Sequence, residues 1–238
     1  MLRLVSILVS SFLVGFVSLT YAGSLERTGA TGTQHLVLRP SAALVRAEQP
    51  GRPVIGSSSA VVGGPTSIPY GWVDFCGRRP EECTVPTLPA VDVKLTTRTL
   101  RILERINREA NDSIVPISNL EHWGTVMDHW DYPVDGKGDC KIYALYKRKL
   151  LREAGFPRQA LLMTVVRDLN NEGHTILTVK TDKGDLILDN LVNEIRPWNA
   201  TGYYFLKRQS QQNPNIWLSI NQRGGVPKTS ASIAHLTE

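Results

Sequence analysis

The chain has 238 residues, 21% of them charged and 42% hydrophobic, a balance that excludes a disordered chain and a multi-spanning membrane protein. Its 27 basic and 22 acidic residues leave a net charge of +5, and no Lys/Arg block is dense enough to predict a nucleic-acid partner. There is no Gly-x-y period, heptad run or internal repeat, which excludes collagen, coiled coil and solenoid.

Residues 1–22 carry one charge, Arg3, then an apolar stretch over 4–19 and small residues around Thr20-Tyr21-Ala22. This is the pattern of a secretory signal peptide. The stretch is short for a spanning helix and is broken by Ser10, Ser11 and Gly15. An uncleaved anchor is the alternative, and it would be the chain's membrane contact. Either way the remainder is expected outside the cytoplasm. Residues 23–67 are rich in Gly, Ser, Thr, Ala and Pro, with Ser57-Ser58-Ser59 and Gly63-Gly64-Pro65, and read as a flexible linker. The compact domain is expected over 68–220, and 221–238 reads as a polar tail.

Export changes the reading of the cysteines. Cys76 and Cys83 are seven positions apart, and a disulfide between them would stabilise by roughly 2–3 kcal/mol. A metal site on the pair is the alternative, but no second Cys or His pair has ligand spacing. Cys140 is then the odd cysteine.

Thr96 or Thr97 is expected to cap a helix reaching about residue 110, with Leu100, Leu103, Ile106 and Ala110 at helical spacing. A second helix is expected over 139–154, with Tyr143, Tyr146, Leu150 and Ala154 on one face and Gly155 as its stop. Residues 160–166, 174–180, 186–188, 203–208 and 216–220 read as strands, with a turn at Asp182-Lys183-Gly184. Helices followed by strands predict an α+β fold with an antiparallel sheet.

Cys140 opens the second helix directly after Asp135-Gly136-Lys137-Gly138-Asp139. A helix N-terminus has free N–H groups and partial positive charge, which favour a thiolate and offer a donor to an oxyanion. A buried free thiol is the bland alternative. A thiolate enzyme needs a base and a group to orient it. His35 and His235 lie in the expected linker and tail, and His122 and His129 precede the cysteine in an aromatic-rich stretch. His174 opens a strand whose hairpin partner would bring residues near 189–193 opposite it. Asp189 is therefore a candidate orienter, and Asn190 is an alternative. Trp130 is a candidate oxyanion donor through its indole N–H, or else a core aromatic.

Gly138-Asp139-Cys140, the helix after it, Gly173-His174 and Leu186-Ile187-Leu188-Asp189-Asn190 together resemble the bacterial transglutaminase-like cysteine proteinases, including the LapG-type periplasmic proteases. The resemblance covers about 76–217 and includes a Cys pair like Cys76/Cys83 and the Trp130-x-x-Pro133 approach to the nucleophile. It implies a papain-like/transglutaminase-like fold with Cys140 as nucleophile, His174 as base and Asp189 as orienter. It also implies a periplasmic location and a protein substrate such as a surface adhesin. The LapG-type pattern reads Asp-Cys-Glu-Asp, with acidic groups that help to hold calcium. Here the stretch reads Asp139-Cys140-Lys141-Ile142. An ammonium and an alkyl group oppose a hard cation on charge and ligand count, so no metal cofactor is expected, though Asp131, Asp135 and Asp139 leave room for weak binding. Lys141 is expected to face solvent; turned inward, it would add positive charge beside the thiol.

The sequence thus predicts an exported, monomeric cysteine endopeptidase. The alternatives are a transglutaminase or amidase on the same triad, or an altered binding protein on the same fold.

Overall fold

The structure, a computed structural model, describes residues 58–221. The expected signal peptide, the linker up to residue 57 and the tail from 222 lie outside the described residues. No helix among the described residues is long and apolar enough to cross a membrane.

The chain opens with strand β1 (Val62–Thr66), then helices α1 (Tyr70–Arg78) and α2 (Pro80–Cys83). Cys76 and Cys83 are joined by a disulfide that ties α1 to α2. Thr96 caps α3 (Thr97–Ser113): its hydroxyl accepts from the Thr99 N–H, and its own N–H donates to Thr99 Oγ1. Leu103, Ile106 and Ala110 are buried as their spacing predicts, and Asn107 joins them. The short strand β2 (Val115–Pro116), α4 (Asn119–Trp123) and the strand β3 (Lys137–Gly138) follow. β2 and β3 pair in parallel immediately before α5 (Cys140–Glu153). The chain leaves α5 through Gly155, at φ 87°.

The buried face of α5 differs from the expected stripe. Ala154 is exposed, and Ile142, Leu145 and Leu151 carry the packing. The helix is wedged between α3 and the sheet, so Lys141, Lys147 and Arg148 are buried on it as well. Three buried basic side chains blur an amphipathic pattern that assumes one wet face.

The second half is a run of strands: β4 (Leu161–Arg167), β5 (Gly173–Thr181), β6 (Gly184–Leu188), β7 (Arg196–Pro197), β8 (Tyr204–Gln209) and β9 (Trp217–Ile220). With β1 they form a seven-stranded antiparallel sheet in the order β1-β9-β8-β4-β5-β6-β7. The main core lies between helices and sheet, around Trp72, Phe75, Leu103, Leu145, Met163, Leu177 and Trp217. A smaller core covers the other face, with Ala60, Ile176, Ile187 and Phe205.

Residues 58–67, which their composition assigns to the linker, belong to this sheet. β1 pairs with β9, and Ser58 forms a bridge with Gly184. Small residues are needed here for close approach: a Cβ on Gly63 would meet Ser219 Oγ at 2.5 Å. Ala60 N–H donates to Asp185 Oδ2 at 3.1 Å. The same buried carboxylate holds Arg208 Nη1 at 2.6 Å and the Lys180 ammonium.

Candidate active site

Asp139 is the N-cap of α5, in extended conformation, and makes Cys140 the first helical residue. The Cys140 N–H therefore has no intrahelical acceptor. Gly138 must be small: a Cβ there would meet Ile142 Cγ2 at 2.5 Å. Cys140 is a free, half-buried cysteine at the wall of a cleft of about 360 Å³. His174, Tyr143 and Asn190 share this wall, with Pro116, Ile117 and Leu191 giving it apolar sides. A larger cavity of about 630 Å³, between the start of α3 and residues 193–197, holds none of the titratable residues expected to act.

The β5–β6 hairpin pairs Leu177 with Leu188 and so brings the chain after β6 alongside the start of β5. His174 Nε2 lies 2.8 Å from Asp189 Oδ1. A carboxylate only accepts, so Nε2 carries the hydrogen, and Nδ1 is the nitrogen left for the thiol. Asp189 is buried and fully engaged. Leu191 N–H also donates to Oδ1 at 3.1 Å, and the Tyr203 hydroxyl donates to Oδ2 at 2.5 Å. Burial alone would raise its pKa; the His174 and Tyr203 hydrogen bonds outweigh it and hold the carboxyl below its ordinary value. Burial alone would lower the His174 pKa. The hydrogen bond to Asp189 and the interaction with the Cys140 sulfur overcome it and lift the imidazole to about 10. This arrangement favours a cationic imidazole beside the sulfur.

Asn190 does not hold His174; it lines the cleft, with a buried Oδ1 that has no hydrogen-bond partner among the described residues. Trp130 is 1% exposed and packs edge-on against Trp72 and Trp217. Its indole N–H donates to Asp128 Oδ2 at 2.6 Å, so that N–H is not free for an oxyanion. The core-aromatic alternative describes its position. His122 pairs with Asp135, and His129 lies between Asp74 and Asp131; neither lines the cleft.

Lys141 differs most from expectation. Its side chain is 6% exposed and turned inward, and its ammonium pairs with Asp128 at 2.7 Å and with Asp139. Burial opposes the charge, but Asp139 and Asp128 overcome it and raise the pKa above the lysine value. Two carboxylates thus offset the charge that Lys141 would bring to the thiol. Calcium, which the family pattern implies, requires six to eight oxygens. Here an ammonium lies between the two carboxylates, and Ile142 packs on Gly138 beside them. No group of three or more His, Cys, Asp or Glu able to hold a metal occurs among the described residues. The residues present do not fit the ion.

Two residues near the site carry no sequence signal. Tyr203 lies just before β8, and its ring meets His174 edge-on at 5.8 Å. Lys147 is 1% exposed, and its amine has no hydrogen-bond partner among the described residues. Burial lowers its pKa to about 7 against the pull of Asp189.

Residues 62–224 match the family described as bacterial transglutaminase-like cysteine proteinase BTLCP. No curated protein matches the chain. Among solved structures the chain is similar to calcium-bound LapG of Legionella pneumophila, with 25% sequence identity, coverage of 55% of this chain and 75% of that one, and a TM-score of 0.45. A second structure of that LapG has 27% identity, 52% and 71% coverage and a TM-score of 0.43. An EGTA-treated form has 27% identity, 52% and 69% coverage and a TM-score of 0.43.

Proposed function

The chain belongs to the bacterial transglutaminase-like cysteine proteinases, and from that membership we propose that its protease chemistry runs through Cys140, His174 and Asp189. The observation that carries this reading is the His174 imidazole, fixed to Asp189 through Nε2 at 2.8 Å and sharing a cleft with the Cys140 thiol.

His174 Nδ1 takes the thiol proton, giving a thiolate–imidazolium pair. The sulfur attacks the scissile carbonyl carbon, and the Cys140 N–H at the start of α5 donates to the oxyanion. The tetrahedral intermediate expels the amine, which takes its proton from Nδ1, and a thioester remains. Water attacks the thioester with His174 again as base, releasing the acid product and restoring the thiol. Asp189 keeps the imidazole in the required tautomer and stabilises its cation.

The substrate is an exported protein, met in the periplasm or at the cell surface, with an adhesin as the example the family suggests. Residues 1–22 direct the export. The support is the apolar N-terminal stretch and the family itself.

The test is the iodoacetamide alkylation rate of Cys140 against pH in wild type and His174→Ala, beside peptide hydrolysis by Cys140→Ser. Fast alkylation below pH 7 that His174→Ala abolishes, with hydrolysis lost in Cys140→Ser, is expected. Rates equal to those of an unassisted thiol in both proteins would overturn the triad. Amine incorporation in place of hydrolysis would assign a transglutaminase.

A further inference from the structure

The ammonium of Lys141 joins two parts of the chain that meet at the nucleophile. On one side is Asp128, in the loop between α4 and β3, with Oδ1 2.7 Å from Lys141 Nζ. Its other oxygen accepts from the Trp130 indole N–H, and Trp130 is anchored among Trp72 and Trp217 in the main core. On the other side is Asp139, whose carbonyl accepts from Ile142 N–H and Tyr143 N–H and starts the helix that carries Cys140. Its carboxylate makes no capping bond to α5 and instead pairs with Lys141. One buried positive charge thus holds the loop and the helix start together.

Without a cation the two carboxylates would repel each other across a partly desolvated gap. The positive charge that lies there, on a side chain one residue from the cysteine, offsets that repulsion. A covalently attached cation does not dissociate when free calcium falls. It carries a single charge and three N–H donors, two of which the carboxylate oxygens of Asp128 and Asp139 accept, whereas calcium would need several more oxygens.

We propose that Lys141 is a built-in cation that replaces a divalent metal in fastening the 124–136 loop to the nucleophile helix, so that Cys140 is positioned without calcium. Lys141 is a positioning residue: it acts through Asp139 and the start of α5. The effect on Cys140 rests on the triad reading above; the cation replacement itself does not.

The experiment uses the full chain as wild type, Lys141→Met, Lys141→Arg and Lys141→Glu. Each is examined by calcium titration calorimetry, by Tm in millimolar calcium or EGTA, and by the pH profile of Cys140 alkylation. Wild type is expected to give no binding heat and the same Tm in both solutions. Lys141→Met is expected to alkylate about tenfold more slowly, with an altered pH profile that calcium does not restore. Lys141→Arg keeps the charge and is expected to recover the wild-type profile. Lys141→Glu brings a third carboxylate to the gap and is expected to gain a calcium-dependent rise in Tm of about 5 °C or more.

A calcium-dependent Tm in wild type would overturn the proposal. So would a Lys141→Met protein with the wild-type alkylation profile, or a folded Lys141→Glu that ignores calcium. If Lys141→Met does not fold, the wild-type titration and the charge-keeping Lys141→Arg still decide. If wild-type Cys140 alkylates as an ordinary thiol, the triad fails, and the calorimetry and Tm measurements judge the cation replacement separately.

Discussion

Tyr203 and His174 hold the same carboxylate from opposite sides: the phenol donates to Asp189 Oδ2 at 2.5 Å and the imidazole to Oδ1 at 2.8 Å. Neither oxygen can turn away from its partner without breaking the other bond. The direction of the imidazole is therefore set from the residue just before β8 as well as from the strand that carries it. Tyr203→Phe leaves the ring packing in place and removes one hydrogen bond to a charged group. It is expected to lower stability by about 1–3 kcal/mol in urea denaturation. Peptide hydrolysis is expected to lose about threefold to tenfold in kcat with KM unchanged, because the loss falls on imidazole alignment.

The carboxylate itself is tested by two substitutions. Asp189→Asn keeps an oxygen for His174 Nε2 and loses the negative charge; amides fill this position in papain-like sites. It is expected to retain all but about a tenfold share of the alkylation rate, whereas Asp189→Ala loses about 10²–10³-fold. Equal losses in the two variants would show that charge, and not imidazole orientation, is what Asp189 supplies.

His174 also makes stability depend on pH. Its pKa rises from the ordinary 6.5 to about 10 in the fold, so the folded state binds the proton more tightly than the unfolded one. That contribution is complete below about pH 6.5 and fades as pH rises through about 10. Denaturation free energies measured between these limits are expected to fall with pH in wild type, and to fall less steeply in His174→Ala.

Toward the far end of β5 from His174, Asp185 neutralises Lys180 and Arg208, all three buried. Asp185→Ala leaves two cations without a counter-charge in the interior. A loss of about 3–5 kcal/mol is expected, well beyond that of an exposed ion pair. Thermal unfolding should register it as a drop in Tm of roughly 10 °C, with Cys140 alkylation at low temperature unchanged.

Much of this arrangement is visible in the sequence because its signals are local. Thr96 and the spacing of Leu103, Ile106 and Ala110 mark α3, and Asp182-Lys183-Gly184 marks the hairpin that brings Asp189 near His174. Gly138-Asp139-Cys140 marks a helix start because a tight approach and an N-cap leave few residue choices. What the sequence hides is set by partners far along the chain. Lys141 reads as a surface lysine until Asp128 is brought to it, and Trp130 reads as either an oxyanion donor or a core aromatic until the same Asp128 takes its N–H. Tyr203 has no local pattern that ties it to a carboxylate 14 positions earlier. Residues 58–67 look like linker because glycine and serine serve equally for freedom and for close packing.

That last segment has a consequence for how molecules of this protein meet one another. β1 lies along the outer side of β9, while the far edge of the sheet ends in β7, two residues long and including Pro197, which has no N–H to offer. A chain shortened to begin at Ile68 would uncover β9 and leave its unpaired N–H and C=O groups as a template for a neighbour's strand. It would also take the Ala60 N–H from Asp185. The residues from Ser58 to Ser67 thus cover β9 and put in its place at the edge a five-residue strand that includes Pro65, which has no N–H to offer a neighbour.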